Sequence, residues 1–520
     1  MSLLSKSLYI RSSHISSWKS LLPLFVIWLV LIAGRPFFFG FYHDDWNSIA
    51  LPLDRSADLI SLLKMDAGRP LYLVLLYVLR PLLGAHTELW QLLLAMIHLL
   101  SAIAIRATAC RLFAVSESDR GEPVGSIAGI LWLVFPWSLG YSAWAIMLPP
   151  NLAMLLTICA FLVLLKSDLN AKLVNRAVFL LAASWLIYEA TWMFWLPFAL
   201  ILYVRAIYRK LRTACVIQFF VKALIVQSAF IAWNRYVSVG SPVSKSVSGK
   251  LTSTLEADLH LLSSQLIPSI AGKQIVLLAT LLLLVCVVVN RKSWSKLPVN
   301  SLICIFLLVG MGGSVCIYAV AGYAIEWTGL FSRVTLPLSF WLAMLFSGVF
   351  ALAWQGASQI VKKALIVSLV GIVLPLGTSL AQASLLWAKA WQEQQQILDA
   401  IPQSVVEMAA PSSLILFDIP HGTAPVYTFS AFWDISGAVV LRMPSFVRLD
   451  KPHTYATVAR RGEWRTTWDG KVLKQYWCNN PAAALWSLEA SELYLWTYPN
   501  DAAKKLAAPF EVGCNSPSIK

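Results

Sequence analysis

LLPLFVIWLVLIAGRPFFFGFYHDDW, residues 21–46, joins a long apolar run to a pair of carboxylates. The run from Leu21 to Phe41 is long enough to cross a bilayer, which takes roughly 20 apolar residues. Basic residues precede it, as in a signal peptide, but no small-x-small cleavage site follows it. We therefore predict an uncleaved first transmembrane helix with a cytoplasmic N-terminus.

The rest of the chain repeats this apolar pattern. Its 520 residues are 58% hydrophobic and only 13% charged, whereas soluble proteins carry about 25% charged residues. The net charge of +15 comes mostly from Lys and Arg in short loops between apolar runs. Such loops orient membrane proteins, so the charge does not indicate a nucleic-acid partner. The predicted class is an all-α polytopic membrane protein with a small C-terminal α+β domain outside the membrane.

Apolar runs and basic loops together predict about eleven spans. The segments are 21–41, 88–112, 125–146, 148–165, 177–190, 192–207, 213–233, 274–290, 299–322, 334–354 and 364–386. Residues 69–84 are too short to span comfortably and contain Arg80-Pro81, so we predict an interfacial helix in the first outer loop, 42–87. This choice places the C-terminus outside.

A change of composition divides the chain into a membrane domain, 1–386, and an extracytoplasmic domain, 387–520. SSLILFDIP, TAPVYTFSAFWD and GAVVLRM read as short β-type runs, and LEASELYLW as a strand or helix. Cys478 and Cys514 are the only cysteines of this domain. In an exported domain they are expected to form a disulfide.

His43, Asp44 and Asp45 carry the clearest chemical signal. Two carboxylates beside a bilayer are costly unless they are hydrated, paired or bound to a metal. The simpler interpretation is a solvated polar boundary that ends the helix. The segment that follows, with Trp46, Asp54, Asp58 and Asp66 ahead of Arg69-Pro70, instead favours a pocket wall or cover over the outer face.

This arrangement resembles the GT-C superfamily of integral membrane glycosyltransferases, which includes protein O-mannosyltransferases and lipid A aminoarabinose transferases. The resemblance rests on the acidic pair Asp44-Asp45 after one helix, on Arg69-Pro70, and on Leu83-Gly84 closing the interfacial helix. Tyr188-Glu189 at a hairpin tip and Phe331-Ser332-Arg333 on the outer face also look similar. It covers the membrane part, about residues 1–390, through short motifs. The tail resembles no family.

The resemblance implies transfer of a sugar from a polyprenyl-phosphate carrier to a lipid, glycan or protein acceptor, in a bacterial inner membrane. A carboxylate would act as general base, and a cation would stabilise the departing phosphate. We favour Asp45 as the base, with Asp44 orienting it or helping to hold a divalent cation such as Mg²⁺ or Mn²⁺. The expected substrate-binding residues are Arg333, Arg69, Lys64, His43, Trp46 and Glu189. For Arg333 the alternative is contact with lipid headgroups, and for Trp46 it is anchoring.

Two other enzyme or transport classes remain open. An O-antigen polymerase or ligase would centre its functional residues on late outer loops such as 234–273. A lipid-linked sugar transporter would place ionisable residues in mid-membrane within two related halves. The sequence has few charges inside its apolar runs and no repeated halves, and it has no phosphate-binding loop, dinucleotide motif or GxSxG elbow.

Overall fold

The structure is a computed structural model. The residues that it describes are 18–50, 69–114, 121–166, 169–208, 212–237, 270–290, 298–321, 329–401, 413–419, 426, 428–429, 432–442, 455–458, 464–477, 480–489, 492–499, 502–506 and 509–512. Their helices are α1 (Trp18–Leu31), α2 (Pro70–Leu83), α3 (Thr87–Phe113), α4 (Glu122–Val134), α5 (Leu139–Ser142), α6 (Leu148–Leu164), α7 (Ala171–Ile187), α8 (Trp195–Tyr208), α9 (Thr213–Val237), α10 (Ile270–Val289), α11 (Pro298–Ala321), α12 (Leu336–Trp354), α13 (Gln359–Ala400) and α14 (Phe432–Arg442).

A polytopic helical membrane protein is confirmed. Among the described residues, eight helices are long and apolar enough to cross a membrane, and a bent pair of helices raises the number to nine. Each of the eleven predicted spans overlaps helix in the described residues, but the span 125–146 is broken into α4 and α5. The numbers differ because α7 has only 17 residues and the apolar part of α10 is also short. The exact number of spans therefore stays a prediction.

The helix α2 fits the predicted interfacial position. Its 14 residues extend for about 21 Å, which is less than the roughly 30 Å hydrocarbon core. It ends at Gly84, whose φ of 58° favours glycine because a Cβ is strained there. In the predicted topology, a noncrossing α2 places the later basic loops on the cytoplasmic side, and this orientation stays a prediction.

The predicted orientation can be tested with a reporter fused after Lys520. We expect a periplasmic reporter such as alkaline phosphatase to be active there and a cytoplasmic fluorescent reporter to be dark, because the basic loops alternate with charge-poor ones. Fusions after Arg176 should give the opposite pattern. A fluorescent fusion at Lys520 would overturn the odd number of spans.

A sharp bend follows α4. The segments Glu122–Val134 and Pro136–Ser142 meet at 57°, because Pro136 lacks a backbone N–H and clashes with a continuing helix. The chain then passes through a short 3₁₀ turn, Ala145–Met147, before α6 begins. This bend brings the 145–147 turn against the residues that follow α1.

The last membrane helix continues far beyond the predicted domain boundary. The helix α13 is unbroken over 42 residues, about 60 Å, which is roughly twice the thickness of the hydrocarbon core. Residue 387 therefore lies inside a helix and not at a linker. The polar final part of α13, from Trp391 to Ala400, links the membrane domain rigidly to the C-terminal domain.

Two four-stranded sheets form most of the described C-terminal domain. Their strands are β1 (Ser413–Asp418), β2 (Tyr455–Val458), β3 (Trp464–Trp468), β4 (Val472–Trp477), β5 (Asn480–Glu489), β6 (Glu492–Thr497), β7 (Lys504–Lys505) and β8 (Phe510–Val512). One sheet has the order β2-β1-β6-β7, with β1 parallel to both neighbours, and the other has the antiparallel order β5-β4-β3-β8.

The β-type interpretation was right for SSLILFDIP and wrong for GAVVLRM. The first run contains β1, whereas the second lies in α14. Ile435, Ala438 and Val439 are buried on one side of that helix, at the i, i+3, i+4 spacing of a helical face. The β-branched residues masked this spacing.

Candidate functional site

Asp45 is a buried anchor between two turns. Its side chain is 0% exposed, and it accepts backbone N–H groups from Tyr42 at 2.9 Å, Ala145 at 3.2 Å and Ile146 at 2.6 Å. Burial raises the pKa of Asp45, and the bonds from these three N–H groups oppose that rise. A base must first reach the proton that it abstracts. The preference for Asp45 as the base is therefore corrected, since neither oxygen is accessible.

Asp44, in contrast, is partly open to the outside. Its side chain is 32% exposed, and its Oδ1 lies 2.7 Å from Nδ1 of His43. His43 has a φ of 47°, in the left-handed region that non-glycine residues rarely adopt. Such strain is held in place by the surrounding structure and is frequent at functional sites. Of the two carboxylates, Asp44 is the one that a substrate can approach.

Arg333, which is distant in sequence, also lies near the His43–Asp44 pair. Its guanidinium lies 4.7 Å from the ring centre of Trp144. That ring contacts His43 edge-on, at 5.7 Å between centroids. Arg333 is thus separated from the His43–Asp44 pair by a single indole, and its role toward a phosphate stays a prediction.

Tyr72 shows that the charged groups converge. Burial raises its pKa well above the usual range for tyrosine; Arg69 and Arg333 act against this rise, and Asp44 and Asp45 add to it. The pKa of this phenol thus responds to two cations and two carboxylates of the candidate site. The Tyr72 hydroxyl itself donates to the carbonyl oxygen of Ile146 at 3.2 Å.

Gly140 permits the approach of the Arg333 segment. Its N–H donates to Ser332 Oγ at 3.1 Å, and a Cβ on Gly140 would lie 2.5 Å from the backbone nitrogen of Arg333. Backbone atoms cannot move aside as a flexible side chain can.

Gly140→Ala is therefore expected to displace Arg333. The variant should insert into the membrane almost normally, but its rate of the predicted sugar transfer should be at least tenfold lower. Gly312→Ala is the matched control, because a Cβ there meets nothing within 4 Å, and it should behave as the wild type. Equal activity of the two variants would contradict the expectation.

Arg69 and Glu189 form a bidentate ion pair. Arg69 Nε donates to Glu189 Oε2 at 2.6 Å, and its Nη2 donates to Oε1 at 2.5 Å. The guanidinium also lies 5.2 Å from the ring centre of Tyr188. Both charged side chains are 32% exposed. The hairpin tip predicted at Tyr188-Glu189 therefore contacts the start of α2, and the pair borders the space around Tyr72.

Trp46 does not face this space. It is 4% exposed, stacks on Trp391 of α13 at 5.8 Å and contacts Phe429 at 6.3 Å. The structure thus gives Trp46 a packing role inside the protein, and neither contact with a sugar nor anchoring at the membrane interface is supported by its position. Its indole joins the first outer turn to the end of α13.

Asp434 was not predicted from the sequence. It lies in α14, is 0% exposed, and its Oδ1 is 4.0 Å from Nδ1 of His43. Burial lowers the pKa of His43, but the charges of Asp434 and Asp44 outweigh it, so the net shift is upward; Arg333 acts in the opposite direction. No sequence pattern distinguishes this aspartate from other acids of the tail. Asp434 comes close to His43 only because α14 packs against residues 46–50 in the folded protein.

An apolar cavity of about 420 Å³ opens beside the charged groups. It lies between α2, α7 and α9. Its walls are Pro70, Leu71, Ala182, Trp185, Leu186, Val226, Ala229, Phe230 and Trp233. Pro70 directly follows Arg69, and Leu186 is close in sequence to Tyr188. Two of the walls of the cavity are therefore close in sequence to the residues Arg69 and Glu189 that form the ion pair.

Three predicted residues and the predicted metal site are not tested by the structure. Lys64, Cys478 and Cys514 lie outside the described residues. Within the part of the chain that the structure describes, no group of three or more His, Cys, Asp or Glu could hold a metal ion. A divalent cation at Asp44 stays a prediction.

Comparisons with known proteins find a likeness at the level of structure. No protein-family model matches the chain, and neither does any curated protein. Among solved structures, the chain is similar to ArnT from Cupriavidus metallidurans bound to undecaprenyl phosphate, with 12% sequence identity and a TM-score of 0.39. The match covers 83% of this chain and 90% of that chain.

Proposed function

We propose that this protein is a membrane glycosyltransferase that takes a sugar from a polyprenyl-phosphate carrier on the outer face. The observation that carries the proposal is the meeting of an accessible carboxylate, Asp44, with Arg333 around Trp144 and Tyr72. A proton acceptor and a cation in one place are what the attack of a hydroxyl on a sugar phosphate requires.

In this mechanism, Asp44 removes the proton from the acceptor hydroxyl. The hydroxyl oxygen forms a bond to the anomeric carbon, and the bond from that carbon to the phosphate oxygen breaks. The carrier phosphate leaves with additional negative charge, which Arg333 stabilises. His43 holds Asp44 in place through the 2.7 Å contact.

The apolar cavity supports a lipid-linked donor. A polyprenyl chain is insoluble in water, so its carrier stays in the bilayer while the phosphate reaches the surface. The cavity is lined by apolar side chains, among them Pro70, the residue that follows Arg69. Such a groove suits a hydrocarbon chain whose charged end lies among Arg69, Arg333 and Asp44.

The proposal can be tested with membranes, a labelled polyprenyl-phosphate sugar and an acceptor extract. We expect transfer of label by wild type and a loss of about 10²–10³-fold in Arg333→Met, because removal of one charge-stabilising donor typically costs that much. Lys222→Met is a control cation on α9, where the ammonium donates to Asn175 on the exposed surface, and it should retain transfer. Unaltered transfer in Arg333→Met would contradict the assigned role.

The same assay separates the alternatives. A transporter would move the labelled lipid between leaflets without forming a product. A polymerase or ligase would require an oligosaccharide linked to a diphosphate carrier and would leave the monophosphate sugar unused. Formation of a product from the monophosphate donor is the expected result.

A further inference from the structure

Arg35 is a buried arginine for which the described residues offer no carboxylate. It lies just after α1 and is 4% exposed. Its Nη1 donates to Ser142 Oγ at 2.7 Å and to the Ser142 carbonyl at 3.3 Å. Nε and Nη2 are shielded from solvent and make no hydrogen bond. A buried charge in this state is strongly unfavourable unless another group compensates it.

A second buried group lies close to Arg35. His98 of α3 is 0% exposed, and neither of its ring nitrogens has a hydrogen-bond partner within the described chain. Its ring is 5.9 Å from that of Tyr141, the residue next to the Ser142 that Arg35 contacts. Buried polar groups are almost always hydrogen-bonded, so two such side chains together require an explanation.

The cluster borders the broken helix. Tyr141 and Ser142 belong to the segment that follows the 57° bend at Pro136. Ser138, one turn earlier, also has a buried hydroxyl that makes no hydrogen bond. Interrupted helices commonly line ion sites in membrane proteins, because the break leaves polar groups inside an apolar region.

We propose that Arg35 and His98 bind a small inorganic anion of the size of chloride. Such an ion neutralises the guanidinium and accepts hydrogen bonds from Arg35 Nε and Nη2 and from one N–H of His98. Arg35, His98, Tyr141 and Ser142 are all nearly inaccessible to solvent. That enclosure favours a monatomic ion over a sugar phosphate or a carboxylate. The site uses none of the residues assigned to sugar transfer, and the inference stands apart from that function.

Thermal unfolding of the full-length chain in detergent tests this site. Sodium chloride is compared with sodium gluconate at equal ionic strength, since gluconate is too large for an enclosed site. We expect a midpoint that is several degrees higher in chloride and rises to saturation with its concentration, because a ligand that binds only the folded state stabilises it.

Arg35→Met should abolish the difference between the two salts. Arg205→Met is the matched control: Arg205 is also buried, at 6% exposure, and donates to the Arg111 carbonyl, so its variant should keep the chloride effect. His98→Phe removes the second donor and should reduce the difference in midpoint between the two salts. This variant tests the site if Arg35→Met does not fold.

Bromide in place of chloride gives an independent measurement. An anomalous-scattering peak between Arg35 and His98 in a bromide-containing crystal is expected. Equal midpoints in both salts for wild type, with no peak at the cluster, would mean that only water fills it. A chloride effect that survives in Arg35→Met would place the ion elsewhere. Either result overturns the proposal.

Discussion

Replacement of Asp44 by Asn is expected to lower the rate of sugar transfer by about 10²–10⁴-fold, the usual contribution of a general base. The amide cannot accept the proton, although it keeps the size and can still contact His43. The protein should remain folded and inserted, because the Asp44 side chain is partly exposed and the amide keeps its size. The measurement is initial transfer rate in membranes that contain equal amounts of each variant.

Glu88→Gln provides the matched control for Asp44→Asn. Glu88 is an exposed acid at the start of α3, and its loss should leave transfer unchanged. Full activity in Asp44→Asn would end the proposed mechanism. A loss accompanied by a lower unfolding midpoint would instead give Asp44 a structural role.

The neighbouring replacement, Asp45→Asn, is expected to act on stability. Two of the three N–H donors bind Oδ2 and one binds Oδ1. An amide offers one acceptor oxygen and one NH₂ group, so at least one buried N–H would lose its acceptor and face another donor. Each such loss costs about 1–3 kcal/mol, and we expect a decrease of about 2–4 kcal/mol in the free energy of unfolding.

The thermal midpoint of purified Asp45→Asn, compared directly with Asp44→Asn, measures this effect. Activity should also decrease, because the turn that carries Asp44 is fixed to residues 145–146 through Asp45. A midpoint equal to that of the wild type would show that these hydrogen bonds contribute nothing to stability. The two adjacent acids are thus expected to differ in stability: Asp44→Asn lowers the rate of transfer without lowering the midpoint, whereas Asp45→Asn lowers both.

The helical membrane class and the location of the site follow from local patterns. Apolar runs of spanning length identify helices without any tertiary information, and each predicted segment overlaps described helix, although the segment 125–146 is broken at Pro136. The first outer turn also stood out, because two carboxylates next to an apolar run are energetically unusual. These features are encoded within short stretches of sequence.

The roles within the acidic pair depend on distant residues. Asp45 is buried because the bend at Pro136 brings the N–H groups of Ala145 and Ile146 to it. Nothing in residues 41–50 indicates this. Trp46 is likewise buried by Trp391, which is far away in sequence. Long-range contacts decided which side chain faces the open space.

The contact between Asp434 and His43 has a consequence for the order of biosynthesis. Chains are synthesised from the N-terminus, and domains fold largely as they emerge. His43 is synthesised with the first helix, whereas Asp434 follows the last membrane helix and, in the predicted topology, reaches His43 only after the tail has been exported. If the proposed function holds, a chain whose synthesis stops before α14 would lie in the membrane without the Asp434 that contacts His43, next to Asp44. The enzyme would thus become competent only when translation, insertion and export have all finished.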